Sequence, residues 1–181
     1  MKKTILAMCA ATALATAAAA SAQAVTTSAV GNVSVYFSPN GGAERAVLDE
    51  VRAAQQRILV QTYSFTSPPI YRALAEAKAR GVDVRVLVDK EARSADFRGA
   101  GARYDMQRGV QVAVDEIAGK GIAHNKVMII DGGTVITGSF NFSRQAETTN
   151  AKNMVVFKNS PDLVRAYTQN WSARAAQAKP Y

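Results

Sequence analysis

AHNKVMIIDGGTVITGSFNFS, running from Ala123 to Ser143, decides how this chain is read. KVMII and TVIT are β-branched and aliphatic segments, and Asp131-Gly132-Gly133 between them supplies the turn residues of a hairpin. Only the head of the first segment is polar. There stands His124, the one histidine of the 181 residues, two positions before Lys126 and seven before Asp131. In a strand that begins at His124, positions i and i+2 share a face, so imidazole and ammonium project together while Asn125 and Val127 turn away. A lysine so placed binds nonbridging phosphate oxygens, and its charge disfavours ring protonation, keeping a nucleophilic nitrogen available near an unperturbed pKa of about 6.5. Past the second segment, Gly138-Ser139-Phe140-Asn141 brings a hydroxyl, an amide and backbone N–H groups that can hold an anionic oxygen.

Outward from this hairpin the apolar period switches repeatedly. VSVYF (33–37) alternates as a strand, Pro39-Asn40-Gly41-Gly42 breaks the chain, and Ala46, Val47, Val51 and Ala54 fall at helical spacing within 43–57. ILVQTYSF (58–65) is rich in β formers. Ser67 ahead of Pro68 and Pro69 starts a helix that continues over 70–80, and Gly81 closes it. VDVRVLVD (82–89) is a third strand, followed by a polar stretch (90–101), a short helix ending near Arg108-Gly109, the strand VQVAVD (110–115) and a loop (116–121). Beyond the hairpin, NMVVFK (153–158) is the last strand, and a C-terminal helix begins near Pro161. Strands that alternate with helices early and pair as a hairpin later predict an α/β fold. Its form is one domain with a mixed, largely parallel-plus-hairpin β-sheet flanked by helices on both faces.

The first 24 residues read as a leader. Lys2 and Lys3 precede an apolar, alanine-rich run to Ala20, and Ala22-Gln23-Ala24 fits an A-x-A cleavage site. This predicts a signal peptide over 1–24, a mature domain over 25–181, and a periplasmic or secreted protein. The run is too short and too threaded with Thr and small residues to act as an anchor, so no stable membrane insertion is expected after its removal. Cys9, the only cysteine, leaves with it, and the mature domain then relies on core packing, with no disulfide and no cysteine zinc site. Removing Lys2 and Lys3 from the 22 basic residues leaves 20 against 14 acidic ones, a net charge of +6 rather than +8. Such a surface favours polyanions, either nucleic acid or anionic membrane.

His124-x-Lys126, four residues, Asp131, six residues, then Gly138-Ser139-x-Asn141 matches the pattern HxKxxxxD with a trailing GSxN, and on it the chain resembles the phospholipase D superfamily. The single copy of the motif, the length, the leader and the segment YSFTSPPI (63–70) make it similar to the small bacterial nuclease branch. The two-motif lipid-hydrolysing enzymes and cardiolipin synthases match less well. The resemblance implies phosphodiester cleavage in two steps with no metal or other cofactor, catalysed by His124, Lys126 and Asp131, with Lys126, Ser139 and Asn141 on the phosphate. One histidine attacks phosphorus and a second serves the leaving oxygen and the water. With one histidine per chain, two meet only across a two-fold axis, so a homodimer with a shared site is expected. Asp131 falls where the strand ends, a position suited to fixing the loop.

The resemblance also marks a departure. Relatives of this branch carry Glu in an N-x-E-N segment before the last core strand, where it accepts a hydrogen bond from the nucleophilic histidine; here the segment is Asn150-Ala151-Lys152-Asn153. A lysine only donates. Three readings stay open: Glu147 substitutes as acceptor, Lys152 points outward as an extra phosphate contact, or the protein is a weakened variant. Arg93, Arg98, Arg103 and Arg108 then suggest a basic rim along a nucleic-acid backbone, with DNA as the first expected partner and RNA as the second. Tyr63, Phe65, Tyr104 and Phe140 divide between base stacking and core. The rival expectations are a phospholipase D acting on lipid head groups and a nucleic-acid-binding protein with little or no activity.

Overall fold

The chain lays down β1 (Asn32–Ser38), α1 (Ala43–Ala53), β2 (Arg57–Thr62), α2 (Pro68–Ala79), β3 (Asp83–Asp89), a 3-10 turn (Lys90–Arg93), α3 (Ala100–Met106), β4 (Gln111–Asp115), β5 (Lys126–Ile130), β6 (Thr134–Gly138), α4 (Arg144–Thr148), β7 (Lys152–Lys158), α5 (Pro161–Ala175) and β8 (Lys179–Pro180). This is a computed structural model that describes residues 31–94 and 99–181; the leader read over 1–24 and Arg98 lie outside the described residues. All eight strands form one sheet in the order β1-β7-β6-β5-β2-β3-β4-β8. β2, β3 and β4 run parallel, β5 joins β2 antiparallel, and the antiparallel run continues through β6 and β7 to β1. The fold is thus the mixed sheet expected from the sequence, with α1 to α4 on one face and α5 on the other.

β5 explains why the hairpin sits at the centre. All five of its residues are buried, because each face of the strand meets a different apolar layer. Met128 and Ile130 join Ile58, Val60, Leu74 and Phe142 under α1 and α2. Val127 and Ile129 join Leu59, Leu87, Val135 and Trp171 under α5. The Trp171 indole N–H donates to the Val60 carbonyl at 3.1 Å, so α5 is tied to the sheet by a polar bond as well as by packing.

Two element ends differ here from the sequence reading. The first helix stops at Ala53 instead of running to 57, and the second strand stops at Thr62, with Phe65 reduced to a single bridge to Phe142. α4 and β8 were not foreseen: α4 is only five residues long, and β8 is two residues that close the β4 edge. Asp131 accounts for the first difference. Its carboxylate accepts the backbone N–H groups of Gln55, Gln56 and Arg57 at 3.0, 2.8 and 2.9 Å, which draws these residues out of helical conformation and into the start of β2.

Asp131 itself takes the left-handed turn conformation, φ 53°. Partial burial works against its charge, but the three amide donors and the nearby Arg57 charge hold its carboxyl below the usual carboxylate range. Because the folded pKa is the depressed one, the stability it contributes is present above the unfolded value and is lost as pH falls through the folded value. Asp131→Ala should therefore lower stability by about 2–3 kcal/mol near neutral pH. Urea unfolding at neutral and at acidic pH checks this, and the gap between variant and wild type should narrow in acid.

Candidate active site

The strand does not carry His124: β5 begins at Lys126, and the two residues before it run as coil. The cause lies just upstream. Ala123 N–H donates to Asp89 Oδ2 at 2.6 Å, so the buried carboxylate at the end of β3, and not a neighbouring strand, holds the backbone beside His124. His124 and Lys126 still meet, because Lys126 Nζ curls back and donates to the His124 carbonyl at 2.7 Å. The exposed imidazole rests edge-on against the Tyr63 ring, with centroids 4.8 Å apart and planes at 61°; Lys126 Nζ lies 5.6 Å from the same ring.

His124, Lys126, Gly138, Ser139 and Lys152 line one open hollow of about 350 Å³ at the ends of the strands. Gly138 is required by its conformation: φ is 146°, and a Cβ would fall 2.5 Å from the Asn153 carbonyl oxygen. This lets the chain turn so that Ser139 interlocks with Asn153. Ser139 N–H donates to Asn153 Oδ1 at 3.1 Å, while Ser139 Oγ accepts from Asn153 N–H at 3.0 Å. The hydroxyl proton of Ser139 is left to donate into the hollow. Asn141 does not line it. Its Oδ1 is buried without a hydrogen-bond partner among the described residues, two positions past Ser139.

The remaining residues singled out in the sequence divide cleanly. Asp131 stands at the far end of β5, five residues or about 17 Å of strand from Lys126, and is spent on the turn and β2, so it is not part of the hollow. Glu147 accepts the Glu44 N–H at 3.0 Å at the start of α1 and does not replace a carboxylate beside His124. Lys152 points inward, not outward, and lines the hollow with His124. The three described arginines of the expected rim each have a partner within the fold, and Arg98 lies outside the described residues. Arg93 binds Glu116 and the Pro180 carbonyl, Arg103 reaches the Ser94 carbonyl and the Tyr181 hydroxyl, and Arg108 stacks 3.5 Å over the Tyr104 ring. Phe65 and Phe140 are core.

Electrostatics follow from this packing. Lys126 is 7% exposed, and its burial together with the Lys152 charge holds its pKa down to about 8. Partial desolvation, then the charges of Lys126 and Lys152, keep the His124 ring below its usual value, and Asp89 opposes them. The site therefore sets an imidazole of lowered proton affinity beside two lysines, an arrangement suited to receiving an anion. Asp89 escaped the sequence reading, and Tyr63, read there for base stacking or core, instead packs against His124. The available signal was their place, at or just past the carboxyl ends of parallel strands, where open α/β sheets collect ligand-binding groups.

Comparison with known proteins places this geometry. Residues 47–174 match the family model described as cardiolipin synthase, PLD-like domain. A phospholipase D of Rickettsia bellii is 38% identical over 146 residues, covering 80% of this chain and 70% of that protein. Among solved structures, Nuc from Salmonella typhimurium, a phospholipase D family member, superimposes with a TM-score of 0.76 at 38% identity, over 83% of this chain and 97% of that one. NucT from Helicobacter pylori gives the same TM-score at 21% identity over 83% and 99%, a likeness of fold.

Anion binding in the hollow should weaken as pH rises through about 8, where Lys126 gives up its proton. In Lys152→Gln the neighbouring charge is gone, so Lys126 keeps its proton to higher pH. Calorimetric titration with a short oligonucleotide at a series of pH values checks this. The variant should bind more weakly at neutral pH yet lose its remaining affinity at a higher pH than wild type.

Proposed function

Because this chain belongs to the phospholipase D superfamily, we propose that it is a metal-independent phosphodiesterase, specifically a nonspecific endonuclease that cleaves DNA, and RNA as a further substrate, at a site shared by two copies of the chain. One observation carries the reading: the imidazole, the two lysines and Ser139 line a single open hollow with no apolar side chain in its walls among the described residues. A polynucleotide phosphate needs such a cationic, polar receptor. Backbone contacts of this kind position the polymer without reading its bases, hence little sequence preference.

In the proposed reaction the His124 nitrogen of one copy attacks phosphorus, forming a P–N bond as the P–O bond to the leaving nucleoside breaks. The second copy's imidazolium gives its proton to the leaving oxygen. That same ring then takes a proton from water, whose oxygen displaces the first histidine and releases a phosphomonoester. Lys126 and Lys152 hold the nonbridging oxygens throughout, and Ser139 donates to one of them. The leader read over 1–24 directs this activity to the periplasm or the medium.

A second copy has a surface to meet. Val33, Val35 and Phe37 are 49%, 51% and 66% exposed, and alternate along β1 so that all three share one face. Phe37 is in register with Asn153, the residue interlocked with Ser139, so this bare apolar strip runs up to the edge of the hollow. Two copies packed through it would bring both histidines toward one axis.

The names of the Rickettsia relatives support a second reading, cleavage of phospholipid head groups. Plasmid DNA and phosphatidylglycerol vesicles, each incubated in EDTA with wild type and His124→Asn, separate the two. Wild type should cut the plasmid and spare the vesicles, the variant should do neither, and cutting that survives loss of His124 overturns the mechanism. Lys152→Glu should raise turnover; an equal or lower rate counts against the missing-acceptor argument. When wild-type and His124→Asn subunits exchange at random, activity should fall as the square of the wild-type fraction, so an equal mixture retains about a quarter. Retention of half indicates independent sites.

A further inference from the structure

With Lys152 inside the hollow and Glu147 engaged at α1, no carboxylate stands where the family pattern puts the histidine's acceptor, yet the imidazole is not left loose. We infer that Tyr63, Glu91 and Asp89 are positioning residues that bracket His124 and do the work of the missing acceptor by a different route; the inference rests on the phosphodiesterase reading of this site.

The contacts form a closed circuit across three strand ends. Asp89 Oδ2 accepts from Ala123 N–H at 2.6 Å and fixes the backbone next to His124. Asp89 Oδ1 accepts from Glu91 N–H at 2.9 Å and so fixes the 3-10 turn. From that turn Glu91 Oε2 accepts the Tyr63 hydroxyl at 2.6 Å, and the Tyr63 ring meets the edge of the imidazole at 4.8 Å. Lys126 closes the remaining side through the His124 carbonyl at 2.7 Å. Backbone and ring are each held from outside the imidazole's nitrogens. Both nitrogens therefore stay free of a carboxylate, and the ring direction is set by packing against an anchored aromatic. Asp89 is fully buried, which makes this bracket rigid at its root.

The lone histidine makes the idea directly measurable, since a tag-free mature chain gives one imidazole signal by NMR. Tyr63→Leu removes the ring and Tyr63→Phe keeps the ring but breaks its anchor to Glu91. In Tyr63→Leu the His124 ring signals should move toward those of a free histidine, with the pKa rising as desolvation is relieved. Its kcat for DNA cleavage should drop about 10- to 100-fold with KM nearly unchanged. Tyr63→Phe and Glu91→Gln should fall between. If Tyr63→Leu unfolds, as its amide spectrum would report, the two milder variants decide. Imidazole signals and kcat that stay at wild-type values in the folded variants overturn the bracket. Should the wild type cleave neither DNA nor a simple phosphodiester, the enzymatic reading fails instead, and the imidazole signals alone still decide whether the bracket holds the ring.

Discussion

β5 meets a different apolar layer on each face, and this double burial is the constraint from which the site follows. A strand so enclosed has no lateral surface for polar chemistry, so its polar groups collect at its ends. At one end Asp131 satisfies three backbone donors and sets where β2 begins. At the other, Lys126 is kept nearly dry and its charge is relieved by the His124 carbonyl and the Tyr63 ring. The motif's acid and its base thus stand at opposite ends of one buried rod: one fixes the start of β2, the other faces the hollow.

How far this could be read from the sequence depended on distance along the chain. Periodicity located every strand from β1 to β7, and Gly81 takes φ 95° at the helix end where a closing glycine was expected. The start of β5 was misjudged because the ligand of Ala123 is a side chain 34 residues away, and no local pattern registers that. The same holds for the bracket, whose members lie just past β2, at the end of β3 and in the turn after it, around a histidine just before β5. These become neighbours only because the sheet orders its strands 5-2-3. Short elements such as α4 and β8 have too few residues to show a period.

Lys152 changes what the site is rather than whether it exists. Where a carboxylate would raise the imidazole's basicity, a second ammonium lowers the proton affinity of both His124 and Lys126. If the hollow holds a phosphodiester as proposed, two cations bind substrate and transition state alike, and such uniform binding does not accelerate the step between them. Orientation by an anchored ring and an anion held by two cations form a coherent alternative to the carboxylate arrangement.

The two edges of the sheet are finished in opposite ways. On the β4 side, β8 ends the ladder with Pro180, and Lys179 and Arg93 share Glu116 across it, so that edge offers little to another strand. On the other side β1 has no strand beyond it among the described residues and turns Val33, Val35 and Phe37 to solvent. A β-rich apolar strip at an open edge is a seed for aggregation. If a second copy occupies that strip, the contact that pairs the histidines also protects the edge. Loss of the dimer would then cost solubility together with activity.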